Sequence, residues 1–221
     1  MTEGPFRRSF FFAIFAGKQQ DSVVCREESC YNYNVIFSFA GIGSWEFVEE
    51  NTMKIEIYPL EKIVIDGVSV SLGMEQSAVE AAIGKGSLTG ERCYYYDNEL
   101  AIDYDDDNRI EFIEFLGGAD GSLRPTIYGV SVYDTSADEL TALLRQKNDG
   151  EVDDSEDGYS YAFLNISVGV YREIRPQDVA EMVEEMKADG IPTEDNEDLA
   201  ADIRRANHWA TIGIGVAGYY R

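Results

Sequence analysis

Ile65-Asp66-Gly67-Val68-Ser69-Val70 returns downstream as Ile127-Tyr128-Gly129-Val130-Ser131-Val132, with only the second residue changed. Each copy is followed by apolar residues at helical spacing: Val79, Ala82 and Ile83 in the first, Leu140, Leu143 and Leu144 in the second. Each then enters a tyrosine-rich strand pattern, Tyr94-Tyr95-Tyr96 and Tyr159-Ser160-Tyr161. A further alternating stretch follows, Leu100-x-Ile102-x-Tyr104 and Leu164-x-Ile166-x-Val168. Landmarks in one order at a nearly constant offset mark an internal duplication. The pattern predicts an α+β fold of two tandem helix-plus-antiparallel-sheet units, residues 53–120 and 121–221.

Local signals place the elements. In the first unit a helix near Glu75–Ile83 ends at Gly84, a residue suited to a left-handed stop. Strands are expected over Arg92–Asp97, Glu99–Asp105 and Arg109–Leu116, with Asp105-Asp106-Asp107-Asn108 as the turn between the last two. Leu100, Ile102 and Tyr104 share one face, Ala101, Asp103 and Asp105 the other, which predicts a half-buried sheet with a polar back. Gly117-Gly118-Ala119-Asp120-Gly121-Ser122 is the linker. The second unit opens with a strand at Ile127–Tyr133 and a helix capped by Thr135 or Ser136. Asp149–Gly158 reads as an acidic loop. Tyr159–Phe163 and Leu164–Tyr171 read as strands, or as one long bent strand. The second unit then departs from the first. Pro176 opens a stripe of Val179, Met182, Val183 and Met186, and a helix near Asn196–Ala206 turns Leu199 and Ile203 inward. These form a helical insertion near residues 176–207, and His208–Tyr220 closes the unit as a strand.

Residues 1–52 read differently. Arg7-Arg8 before Phe10-Phe11-Phe12-Ala13-Ile14-Phe15-Ala16 is a crude signal-peptide pattern with no small-x-small closing site. Met53 opens an alternating strand directly, and Glu49-Glu50 just upstream permits a purine-rich ribosome-binding sequence. Residues 1–52 are therefore expected to be an extension outside the fold, either an upstream reading-frame extension or a disordered segment.

The formal net charge is −24. Residues 1–52 hold 4 Lys+Arg and 7 Asp+Glu, so 53–221 keeps 14 against 35, a net of −21. Such a surface repels nucleic acid and anionic lipid and favours a basic protein partner. No apolar run reaches the ~20 residues of a membrane span. Cys25, Cys30 and Cys93 are odd in number and scattered, which fits a reducing compartment and a cytoplasmic location. The only histidine, His208, is far from the Cys25/Cys30 pair, so no zinc site is expected.

Gly73-Met74, followed by Val79 and then by Gly84-Lys85-Gly86 at the helix exit, together with the tyrosine-rich strand, resembles the repeat of the beta-lactamase-inhibitor-protein fold. That fold is shared with the small lipoprotein of the outer-membrane assembly machine. The resemblance covers roughly residues 63–171. Lys85-Gly86 stands where the family has x-Pro, and the second copy lacks the Gly-Met pair. The two-copy arrangement matches the inhibitor more than the lipoprotein. The resemblance implies a binding protein whose sheets form a concave face that grips an enzyme. Small acidic proteins of this kind also resemble bacterial immunity proteins, which block a cognate toxin.

The candidate partner-binding residues are the strand tyrosines Tyr94, Tyr95, Tyr96, Tyr159 and Tyr161, with the acids of two corresponding loops, Asp105, Asp106 and Asp107, and Asp153, Asp154, Glu156 and Asp157. Exposed Tyr is a common interface anchor, and loop acids steer cations toward it. Asp103, Asp105, Asp107, Ile110 and Glu114 match a calcium-loop spacing, yet strands flank them where that loop needs helices, so a plain acidic hairpin is expected. No P-loop, dinucleotide or nucleophile-elbow motif occurs, and Cys93 has no histidine near it in sequence. The expectation is a non-catalytic inhibitor of a basic toxin or enzyme, without cofactor or metal. The alternative is an acidic nucleic-acid mimic that occupies a DNA- or RNA-binding protein.

Overall fold

A computed structural model describes residues 53–90 and 92–221, together with the backbone of three strands near the start of the chain. The chain divides into two units at Thr52/Met53. In the first unit β1 (Val23–Cys25), β2 (Val35–Ala40) and β3 (Ser44–Glu49) form an antiparallel sheet in that order, so regular backbone does occur within residues 1–52. The signal-like stretch and the segment before Met53 lie outside the described residues.

The second unit is α+β. In chain order it holds β4 (Ile55–Tyr58), β5 (Lys62–Ile65), β6 (Val68–Ser71), α1 (Gln76–Ile83), β7 (Ser87–Thr89), β8 (Arg92–Tyr95), β9 (Leu100–Tyr104) and β10 (Ile110–Phe115). The second copy follows with β11 (Pro125–Ile127), β12 (Val130–Ser131), α2 (Ala137–Asn148), β13 (Val152–Asp153), β14 (Ser160–Phe163) and β15 (Val168–Tyr171). Then come α3 (Pro176–Ala188), α4 (Glu197–Ala206) and β16 (Thr211–Gly215). The insertion sits where the sequence puts it, before the last strand. Among the described residues no helix is long and apolar enough to cross a membrane.

The duplicated hexapeptide is one turn built twice. Asp66 and Gly67 have φ of 47° and 84°, and Tyr128 and Gly129 have 52° and 85°. Two consecutive left-handed residues make the tight hairpin turn whose twist suits antiparallel strands. The flanking pairs Ile65↔Val68 and Ile127↔Val130 are the same register.

The two copies do not form separate sheets. Their hairpins share a five-stranded sheet, β12-β11-β4-β5-β6, in which β4 runs parallel to β11. Their four-stranded meanders join into one antiparallel eight-stranded sheet, β13-β14-β15-β16-β10-β9-β8-β7. The join is the pairing of the last strand of each copy, with Phe112 opposite Gly215 and Phe115 opposite Ile212. A single core unites Ile55, Ile63 and Ile127 of the smaller sheet with Ile102, Ile113, Phe163 and Ile214 of the larger, and with Val79 of α1 and Leu140 and Leu144 of α2. Trp209 is 1% exposed and donates its indole N–H to the Ala137 carbonyl. Tyr133 donates its hydroxyl to the Phe115 carbonyl.

Several sequence expectations change. Leu164–Ser167 is a turn, not strand, so β14 and β15 are a hairpin, and the last landmark of the duplication is out of register. The alternating Leu164, Ile166 and Val168 mimicked a strand because Ile166 of the turn packs on the core beside Val168 at the start of β15. Strand character after His208 is confined to Thr211–Gly215. Ala101 is buried, not on a solvated back. Ala82 and Ile203 are exposed. The short edge strands β7 and β13 carry no apolar alternation that would mark them in the sequence. Ser136 is the cap of α2, accepting from the Glu139 amide.

The linker between the copies is clasped by one carboxylate. Glu99 accepts from the Ser122 amide and hydroxyl and from the Leu123 amide at 2.7–3.0 Å. Burial alone would push its carboxyl up, but these donors outweigh that and hold it below its ordinary 4.5. A lowered carboxylate contributes stability above the ordinary value and loses it as pH falls through the lowered one. Glu99→Gln should therefore cost about 1–2 kcal/mol at pH 7. Urea midpoints should show the gap between the two proteins closing once the pH drops below the ordinary carboxylate value.

Candidate protein-binding face

Strand alternation sorts the candidate tyrosines. On β8, Cys93 and Tyr95 point into the core, 1% and 5% exposed. The Tyr95 and Tyr104 hydroxyls lie 3.0 Å apart. Burial pushes both phenols up, Tyr104 to about 12. Tyr95 is thus a core residue and not an interface anchor. Tyr94 takes the opposite face and is half-buried. Tyr96, with φ 50°, begins the β8–β9 turn and packs on the edge of the core. Tyr161 also faces inward, edge-on to Trp209 at 5.6 Å, with Arg145 over its ring. Tyr159 donates to Asp178 and lies under the Arg175 guanidinium at 4.3 Å, so it fastens α3.

The acidic loops are built turns. Asp105 accepts from the Asp107 and Arg109 amides, and Asn108 takes the left-handed position with φ 55°. Asp106 and Asp107 are exposed. Asp153 accepts from the Ser155 amide, which lowers its carboxyl. Asp154 meets Arg145 at 3.3 Å, Glu156 accepts from Ser160, and Asp157 pairs with Arg175. The hydrogen bonds of Arg175 also hold the Asp178 carboxyl well below the usual range. Register separates the two loops. The Asp105–Asp107 turn lies at the end of the sheet where β16 finishes, beside Phe112↔Gly215. The Asp153–Asp157 loop lies at the end where β16 starts, beside Ser160↔Tyr171↔Thr211. They occupy opposite ends of the strands and cannot act as one steering patch.

The calcium spacing is also undone. Asp103 and Glu114 turn to the back of the sheet and bind Arg92. The guanidinium is bidentate to Asp103 at 2.7 and 2.8 Å and reaches Glu114 at 2.6 Å. The hydrogen bond with Asp103 is the main cause that pushes the Arg92 pKa up. Glu114 also accepts from Thr211 of β16 at 2.9 Å. Among the described residues no group of three or more His, Cys, Asp or Glu is placed to hold a metal.

That network floors a surface the sequence reading did not assemble. The front of the eight-stranded sheet meets the core. Among the helices, α1 packs against β6, α2 against β14 and α3 against α4. The back face carries Tyr94, the Arg92 triad, Phe112, Tyr171 and the tail residues Tyr219 and Tyr220. Phe112 stacks on Tyr219 at 4.4 Å, and Tyr220 meets both edge-on. Small residues make the room. A Cβ on Gly169 would strike the Tyr220 ring, one on Gly213 the Phe112 ring, and one on Gly215 the Tyr219 side chain. Burial raises the Tyr220 and Tyr219 phenols above their ordinary value. Tyr171 and Tyr219 keep 42% and 36% exposure, so aromatic surface remains open beside the ion triad. The missed signal was Gly213-x-Gly215, which in a strand marks close approach of another group.

No protein-family model, no curated protein and no solved structure matches the chain.

Two changes test this face. Arg92→Met should leave two half-buried carboxylates without a counter-charge and cost about 1–3 kcal/mol in urea unfolding. Gly169→Ala should displace Tyr220, lowering stability by about 1–3 kcal/mol and weakening the near-ultraviolet tyrosine dichroism.

Proposed function

We propose that this is a non-catalytic acidic binding protein of the immunity type, which holds a basic toxin or enzyme against the back of its eight-stranded sheet. The observation that carries the reading is the open rings of Tyr171 and Tyr219 there, with half-buried Tyr94 on the same face, in a body of residues 53–221 whose net charge is −21. Rigid aromatic side chains supply contact area at small entropic cost, and the charge speeds encounter with a cation. The resemblance of the repeat to the beta-lactamase-inhibitor fold points the same way. Arg92, Arg175 and Asp178, whose charged forms their partners stabilise, are held in fixed ion pairs that fasten strands and helices. Such groups serve structure better than proton transfer.

The decisive experiment is capture of the partner at low salt, its identification, and kinetics with the purified pair. A basic protein whose activity is blocked is the expected result. Tyr171→Ala should weaken binding by about 1–3 kcal/mol through faster dissociation, with the melting temperature little changed. Changing Asp106 and Asp107 to Asn should slow association at low salt and leave dissociation and melting nearly unchanged. Binding indifferent to Tyr94, Tyr171 and Tyr219 together would overturn this face. A nucleic-acid-binding partner released by DNA or RNA would favour a nucleic-acid mimic.

A further inference from the structure

We infer that the open notch at the start of α4 docks an amphipathic basic segment of a partner protein, a Lys or Arg side chain beside an apolar one. The inference rests on the reading that the partner is basic. The notch is lined by Leu199, Ala200 and Ile203 and by Asp195, Asn196 and Glu197. The insertion has its own small core, in which Val179 of α3 meets Leu199 and Ala206 of α4, with Ile174, Met182 and Val183 against them. Ile203 follows Leu199 by one helical turn and belongs to the same stripe by spacing. Yet it is 45% exposed, and Ile191 in the α3–α4 connection is 48% exposed. An apolar side chain on the right stripe but left in water is a local rule broken without a gain inside the fold.

The charge around it selects the occupant. Glu194, Asp195, Glu197 and Asp198 crowd this helix start. The cations of the two helices are engaged elsewhere: Lys187 with Glu184, Arg204 with Asp120, Arg205 with Asp120 and Asp202. The α4 amides present roughly +0.5 charge at this end, which alone would favour an anion. The carboxylates outweigh it, and Asn196 already accepts from the Leu199 amide. A long basic side chain suits both halves of the site. Its stem can lie on Ile203 and Ala200 while its head reaches Asp195 and Glu197.

Two labelled peptides of equal charge test this against the full chain at low salt: an amphipathic Leu/Lys helix former, and a Ser/Lys peptide with the leucines removed. By fluorescence anisotropy the Leu/Lys peptide should bind about tenfold tighter. Ile203→Ser should abolish that preference, Ile203→Val should keep it, and Glu197→Gln should weaken the peptide about twofold to threefold. Amide shifts should move at Leu199, Ala200 and Ile203. If both peptides bind alike and Ile203→Ser changes nothing, the notch is overturned while a basic partner stands. Shifts confined to the strands around Tyr94 and Tyr171 overturn it in the same way. If neither peptide binds at low salt, the notch and the basic partner fall together.

Discussion

The pairing of β10 with β16 is the constraint on which the rest depends. Each copy of the duplicated unit ends in a strand with one free edge, and the two edges satisfy each other. Without the join there would be two four-stranded sheets, each with an exposed edge and half a hydrophobic face. With it, Ile113 and Phe115 stand beside Ile212 and Ile214 in one core. The seam is reinforced on its other side by Thr211, which donates to Glu114, itself held by Arg92. One polar chain thus crosses β8, β9, β10 and β16. The strand that closes the seam is rich in glycine because bulky rings from β10 and the tail lie flat across it.

Acidity on this scale destabilises a compact chain through self-repulsion, and the fold meets it locally. Its few arginines are placed where one cation serves several oxygens. Arg92 takes two carboxylates, and Arg175 takes Asp157 and Asp178 while covering Tyr159. Arg172 has no carboxylate and is buried, donating to the Gly158 and Ala206 carbonyls and lying over Trp209 at 4.9 Å. It ties the acidic loop, the end of α4 and the core together. A cation suits the carbonyl end of a helix, so its position needs no counter-ion.

The duplicated hexapeptide was legible because its turn chemistry is local: Asp-Gly and Tyr-Gly needed only their own backbone. Helix positions were readable from caps and glycine stops, as Ser136 and Gly84 show. What escaped was everything set by partners distant in sequence. Nothing within β8 says whether Tyr94 or Tyr95 faces the core; the five-stranded sheet packed on the other side decides it. Leu164-x-Ile166-x-Val168 has a strand's period, but Ser167 with φ 48° bends it into a turn. The aromatic back face was illegible as a unit, since its residues come from strands that meet only across the seam. The two acidic loops looked equivalent by analogy of position, and the antiparallel join sends them to opposite ends.

The insertion between β15 and β16 also bears on how the protein is made. Glu114 and Thr211 meet over a separation of 97 residues, so β10 emerges from the ribosome long before its neighbour exists. During that interval Ile113 and Phe115 stand on an unpaired edge, and a whole second copy must be synthesised beside them. Contacts this distant in sequence slow folding and lengthen the life of sticky intermediates. A dense negative charge on the nascent chain keeps such intermediates apart from one another, so the acidity that strains the compact state protects the chain while its seam is open.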